Sequence, residues 1–315
     1  MIIGHKKQWQ FLKKTAELGK IPHAFLFLGP SQLGKRTFAL ELIKLINCEK
    51  KDFSIRPCLD CQNCQSFKKG IHPDFFFIEP IEKDIQISQI RKLRSFLSLK
   101  SQIAQYKAVI IDRAHLLNKQ SQNSVLKILE EPKGKTILIL VTEHPEMLFP
   151  TIISRVEKIK FFPVPKPEIE KYLKSQKASK KDLEIISHLS WGKPGRAIDF
   201  LRDPSKKEFQ EKTIKEISKL VKANLNFKFQ YAKKMAGQPQ NLKEILEIWL
   251  RYFRGVLLLK IKETTYHGDS NVKSLPSYSV SKLKEILKLI QSTSFLVSTT
   301  NVNPKLALEI LMLEL

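Results

Sequence analysis

Long apolar runs are missing from this 315-residue sequence. No window approaches 18 continuous apolar residues, so no membrane-spanning helix and no membrane partner are expected. The opening stretch MIIGHKKQWQ lacks the apolar core of a secretory signal, and the sequence predicts a soluble, cytoplasmic chain. Acidic residues are in short supply, 31 against 55 basic ones, giving a net charge of +24. That excess would suit a phosphate backbone or another acidic partner. Arginine is also scarce, ten of the 55. The lysines are spread through every segment, so charge alone does not decide for DNA. The seven histidines complete no Ser–His–Asp set, no paired-carboxylate site emerges, and His23 and His72 read as structural. Cysteine is absent outside residues 48–64.

What is present begins with GPSQLGKRT, Gly29 to Thr37. A phosphate-binding loop needs two glycines, a lysine, a hydroxyl and a helix start in the form G-x-x-x-x-G-K-[ST]. Gly29, Gly34 and Lys35 fit that spacing, behind an apolar strand AFLFL and ahead of a helical run TFALELIKLI. The hydroxyl position is Arg36, which has only donors and repels Mg²⁺. Thr37 is turned about 100° further round the helix and does not replace it. The expectation is a degenerate loop that keeps a phosphate cradle, leaves ATP binding open and does not favour Mg²⁺.

The four cysteines form C-x₉-C-x₂-C-x₂-C: Cys48, Cys58, Cys61 and Cys64. Thiolates at two-residue gaps converge on one tetrahedral ion, and four sulfurs leave no open position, so structural Zn²⁺ is expected. A pair of disulfides, disfavoured in a reducing cytosol, and an iron–sulfur cluster stay as alternatives. The cysteines would staple an excursion inserted in an α/β domain.

Further along, Ile85, Ile87, Ile90, Leu93 and Leu97 combine an extended start with a helical stripe. KAVIID then ends a buried strand in Asp112, where phosphate-loop enzymes hold Mg²⁺. Asp112 reads equally well as the N-cap of a helix over RAHLLNKQSQNSVLKILEEP. A hydrolase would follow the aspartate with glutamate, yet Arg113 stands there. Strand KTILILV leads to Thr142, placed to sense a phosphate, and TIISRVEKIKF carries Arg155, whose ordinary reading is a surface ion pair.

In order, GHKKQWQFLKK, IPHAFLFLGPSQLGK, the cysteine insert, HPDFFFIEP, QISQIRKL, KAVIIDRAHLLN, SVLKILEEP and PTIISRVEKIKF resemble the delta-prime subunits of the bacterial DNA polymerase III clamp loader, over residues 1 to about 200. The resemblance implies an α/β AAA+ P-loop domain with a zinc-binding insert (1–162, zinc module 48–64), a three-helix lid (163–204) and an all-α collar (205–315). It implies a non-hydrolysing stator that helps load the sliding clamp onto primed DNA. Its partners would be the gamma/tau motor subunits and delta, with clamp and DNA reached through the assembled complex at the replisome. Ser154–Arg155–Val156 looks like the family's serine–arginine–cysteine motif, so Arg155 would be lent in trans to a neighbour's ATP. Arg196 in GKPGRA matches the family's second sensor, where it would either approach a nucleotide bound to the same chain or serve packing and salt bridges.

FFPVP, Phe161 to Pro165, reads as a linker to three short helices, and from Ser205 the chain is helical, with the polar break ETTYHGDSNVKSLPS. Two other functions are weighed against the stator: an ATP-hydrolysing motor subunit or other AAA+ ATPase, and a zinc-stapled DNA-binding module. Arg36 and Arg113 speak against the first.

Overall fold

The computed structural model describes residues 2–265, 278–299 and 302–315. The expected polar break covers residues 263–277; its first three residues are helical, and residues 266–277 lie outside the described residues. The chain divides into two compact units, 1–202 and 203–315.

In the first unit, α1 (Lys6–Glu17) precedes β1 (Ala24–Leu28) and α2 (Lys35–Ile46); α3 (Gln62–Lys69), β2 (Phe75–Ile78), α4 (Ile87–Ser98) and β3 (Lys107–Ile111) follow. Next come α5 (Lys119–Glu130), β4 (Thr136–Thr142), α6 (Pro150–Ile153), β5 (Glu157–Lys160), α7 (Lys166–Ser175), α8 (Lys180–Leu189) and α9 (Pro194–Arg202). The five strands pair in parallel in the order β2-β3-β4-β1-β5. Parallel strands are covered on both faces, which explains near-continuous apolar runs in place of alternation. The period of two still sorts their side chains. Phe25, Phe27, Ala108, Ile110, Ile137 and Ile139 join one core with Phe38 and Leu42 of α2. Leu26, Val109, Ile111, Leu138 and Leu140 join the opposite core with Ile90 and Leu93 of α4 and Val125 of α5.

The order places β1 between β4 and β5, so the chain reverses direction across the sheet beside β1. The crevice at the carboxyl ends of strands at such a switch is where α/β folds bind ligands. The phosphate loop leaves β1 there. Gly29 has φ +145°, and a Cβ on it would fall 2.4 Å from the Phe161 carbonyl oxygen, so this position requires glycine.

One local expectation is corrected. Asp112 does not cap the long helix: Arg113 adopts a left-handed φ of 50°, a short 3₁₀ turn spans Ala114–Leu116, and α5 starts only at Lys119. Its cap is Asn118, whose side-chain oxygen accepts from the Ser121 N–H at 2.9 Å. FFPVP is the irregular connection between β5 and α7, and it is firmly packed: Phe161 is buried against Phe27 and Phe38 and its N–H donates to Leu28 O at 2.8 Å. Val164 is likewise held, donating to Gly192 O at 2.7 Å.

The second unit contains α10 (Pro204–Leu220), α11 (Leu225–Ala236), α12 (Pro239–Thr265), α13 (Val280–Thr299) and α14 (Pro304–Glu314). Its core gathers Trp249, Phe253, Ile286, Leu308 and Leu311. No described helix is long and apolar enough to cross a membrane.

Candidate nucleotide pocket, cysteine cluster and exposed arginine

At the switch point lies a cavity of about 300 Å³ lined by Gly34, Lys35, Arg36, Asp112 and Thr142 among others. The structure thus brings together four of the expected nucleotide residues, Gly34, Lys35, Asp112 and Thr142. Gly29 supports the loop from behind. Thr37 is exposed and outside the lining, as its place on the helix demands. Arg196 is buried, its guanidinium 4.7 Å from the centre of the Trp191 ring and 5.6 Å from that of Phe200, and it too is outside the lining.

Gly34 sits at φ 83° ahead of α2, so the helix presents its first N–H groups toward the cavity. Lys35 folds back on its own loop, donating from Nζ to Gly29 O and Pro30 O, each at 2.6 Å. Burial lowers its pKa to about 8, against the opposing pull of Glu143 and Asp112. The Thr142 hydroxyl accepts from the His144 N–H at 3.0 Å and lies 3.1 Å from His115 Nδ1. His115 also lines the cavity, and nothing in its local sequence pattern marked it.

Arg36 has found another occupation. Its guanidinium lies 4.1 Å from the centre of the Phe77 ring and 3.6 Å from the Glu79 carboxylate. Both partners come from β2 and the turn after it, about forty residues away, beyond the reach of motif spacing.

At the other end of α2 the four cysteines meet. All are free thiols, with sulfurs within 4.8 Å of one another. Such a set could bind a metal ion. Cys48 follows the Asn47 C-cap of α2, Cys61 is the N-cap of α3, and Cys64 lies in its first turn. The Cys61 N–H donates to Cys58 Sγ and the Cys64 N–H to Cys61 Sγ, both at 3.4 Å. The bond from the Cys61 N–H is the main cause that brings the Cys58 thiol down to about 7, whereas burial pushes Cys48 and Cys64 up. Without a cation the two buried thiols, Cys48 and Cys64, are hard to ionise; a soft divalent ion inverts that balance.

The cluster is wired to the sheet by groups that spacing did not reveal. Asn63 Nδ2 donates to Asn47 O at 3.0 Å, and Asn47 Oδ1 accepts from the Tyr106 N–H at 2.8 Å. His72 stacks on Phe67 with centroids 3.9 Å apart. Its Nδ1 accepts from the Asp74 N–H at 3.0 Å, which fixes the proton on Nε2, 3.2 Å from Asn63 Oδ1. Asp74 accepts three backbone N–H groups from residues 102–104 at 2.8–3.0 Å. His72 and Asp74 are therefore structural.

Arg155 stands apart from the cavity, on the turn between α6 and β5. Its side chain is 40% exposed and pairs with Glu130 at 3.1 Å, so the surface ion pair is real. Nη1 also donates to Thr151 O at 3.1 Å and lies 3.4 Å from Ser154 Oγ.

Comparison with known proteins assigns this architecture. Residues 4–165 match the family model described as DNA polymerase III, delta subunit. The chain belongs to that family. It is 29% identical to DNA polymerase III subunit delta' of Bacillus subtilis, over 97% of this chain and 94% of the relative. Against subunit delta' of Pseudomonas aeruginosa it is 38% identical, over 42% of this chain and 41% of that one. DNA polymerase III subunit gamma of Buchnera aphidicola from Schizaphis graminum is 32% identical over 64% of this chain and 56% of its own length. The clamp-loader resemblance read from the motifs is borne out at the level of the family.

Proposed function

We propose that this chain is the stator of a clamp loader, a delta-prime-type subunit that assists ATP-dependent loading of the sliding clamp onto primed DNA without hydrolysing ATP itself. The observation that carries the reading is Arg36: at the place of the magnesium-ligating hydroxyl stands a guanidinium engaged with Phe77 and Glu79. A cation there supplies no oxygen to Mg²⁺, and Arg113 replaces the expected water-polarising glutamate as well. Lys35 meanwhile satisfies its ammonium on loop carbonyls.

In this reading Gly29, Gly34, Lys35, Thr37, Asp112, Thr142 and Arg196 are remnants of a nucleotide site, and Arg155 is the group that still acts. Exposed on a turn and supplied in trans, it would stabilise charge at a neighbouring subunit's γ-phosphate. Cys48, Cys58, Cys61 and Cys64 hold a structural Zn²⁺: four converging sulfurs with no carboxylate or open position suit zinc. The lid comprises 163–204 and the collar 205–315, the collar joining this subunit to gamma/tau and delta partners.

The test is reconstitution with the partner subunits. The isolated chain should turn over no ATP, and Arg155→Ala should leave assembly intact while lowering DNA-stimulated ATPase by about 10²-fold or more. Turnover by the isolated chain that Lys35→Ala abolishes would refute the stator role.

A further inference from the structure

The Arg155 guanidinium is held at three points, and two of them are fixed by its own turn. Thr151 O and Ser154 Oγ belong to residues immediately before it. The third, Glu130, is contributed by the last residue of α5, remote in sequence and anchored on a separate helix. The backbone beneath is rigid: Arg155 N–H donates to Ile152 O at 3.1 Å, and Ile152 and Val156 on either side are buried. What can still move is the side chain, and of its three contacts Glu130 is the one supplied by another element.

We propose that Glu130 is a positioning residue: it holds the Arg155 guanidinium outward in the orientation needed by the reactant across the subunit boundary. The inference rests on the trans-arginine reading of the preceding section. Its first support is stoichiometric. A guanidinium has five N–H donors, and the three acceptors at Glu130, Thr151 and Ser154 leave donors for an incoming phosphate oxygen. The second is energetic. Both partners are substantially exposed, 40% and 48%, and a pair of that kind contributes little to folding. A long, rotamer-rich side chain ordered in advance saves the entropy of fixing it at the moment of reaction, so the contact belongs to rate more than to stability.

The experiment is a double-mutant cycle in the reconstituted loader. Glu130→Ala should lower the DNA-stimulated kcat about fivefold to tenfold, leaving KM for ATP and the melting temperature of the chain nearly unchanged. Glu130→Gln keeps an oxygen acceptor at the same reach and should retain at least about half the rate. In an Arg155→Ala background, Glu130→Ala should have no further effect. An unchanged or raised rate in Glu130→Ala, failure of Glu130→Gln to rescue, or additive losses in the double variant would overturn the positioning role while leaving the arginine's role intact. If Arg155→Ala alone leaves the rate untouched, the trans-arginine reading fails, and the positioning role with it.

Discussion

One helix, α2, joins two sites of opposite completeness. Its amino end carries the phosphate loop, where Arg36 stands at the position of the motif's hydroxyl and contacts Phe77 and Glu79. Its carboxyl end leads into Cys48 and the cluster, where four sulfurs are all present and all face one point. The difference teaches how to judge an altered site. A missing ligand can be tolerated where the neighbouring groups find other partners, as Lys35 does on Gly29 O and Pro30 O. It is not tolerated where each ligand is part of the local fold: Cys61 caps α3, and Asn63 between Cys61 and Cys64 is bonded to Asn47 and to His72.

The largest effect should therefore come from the cysteine end. Cys64→Ser is expected to cost the chain about one equivalent of zinc and to lower its melting temperature by on the order of 10 °C, since structural metal binding is folding free energy. Lys35→Met, at the other end of the helix, should leave metal content unchanged. Elemental analysis and calorimetry decide it: full zinc and an unshifted transition in Cys64→Ser would erase the contrast between the two ends.

A smaller effect concerns pH and sharpens what Lys35 now does. Its folded pKa of about 8 is below the ordinary lysine value of 10.5, chiefly through burial, with Glu143 and Asp112 raising it and Lys193 lowering it. Between those two values the unfolded chain holds a proton on this group that the folded chain has released. Stability contributed through Lys35 should thus rise as pH increases from about 8 to 10.5, and be flat below 8. Lys35→Met removes that slope. Denaturation midpoints of wild type and variant measured across the range should diverge only above pH 8; curves that remain parallel would place the lysine in water.

Much of this was legible in the sequence because it is local. Strand–loop–helix order, the glycine spacing and the cysteine spacing are all short-range patterns, and β1, α2 and the cluster appear where they were expected. The rest depends on single backbone conformations and on contacts between distant segments. Whether Asp112 caps a helix depended on Arg113 entering a left-handed conformation, which delays α5 to Lys119. Phe161 belongs to the core because β5 pairs with β1, a contact across more than a hundred residues. His115 meets Thr142 and Asp74 meets residues 102–104 only after the sheet has set their register. Arg36 stands out in the sequence for the ligand it lacks, while its partners Phe77 on β2 and Glu79 just after it come within reach only once β2 is placed at the edge of the sheet.

The mildest change is also the most direct test of the pocket. Arg36→Thr restores the loop's hydroxyl and removes the contacts with Phe77 and Glu79. The arginine side chain is 58% exposed, so losing a cation–π contact and a surface ion pair should cost about 1 kcal/mol or less. Folding and assembly should survive. Nucleotide binding should gain Mg²⁺ dependence, since a hydroxyl beside Asp112 again offers oxygen to the ion. Turnover by the isolated chain should stay absent, because Arg113 still stands where water must be polarised. Magnesium-dependent hydrolysis by this single variant would mean that the whole deficit sat in one side chain; binding without hydrolysis keeps the loss distributed over two positions, as the paired arginines require.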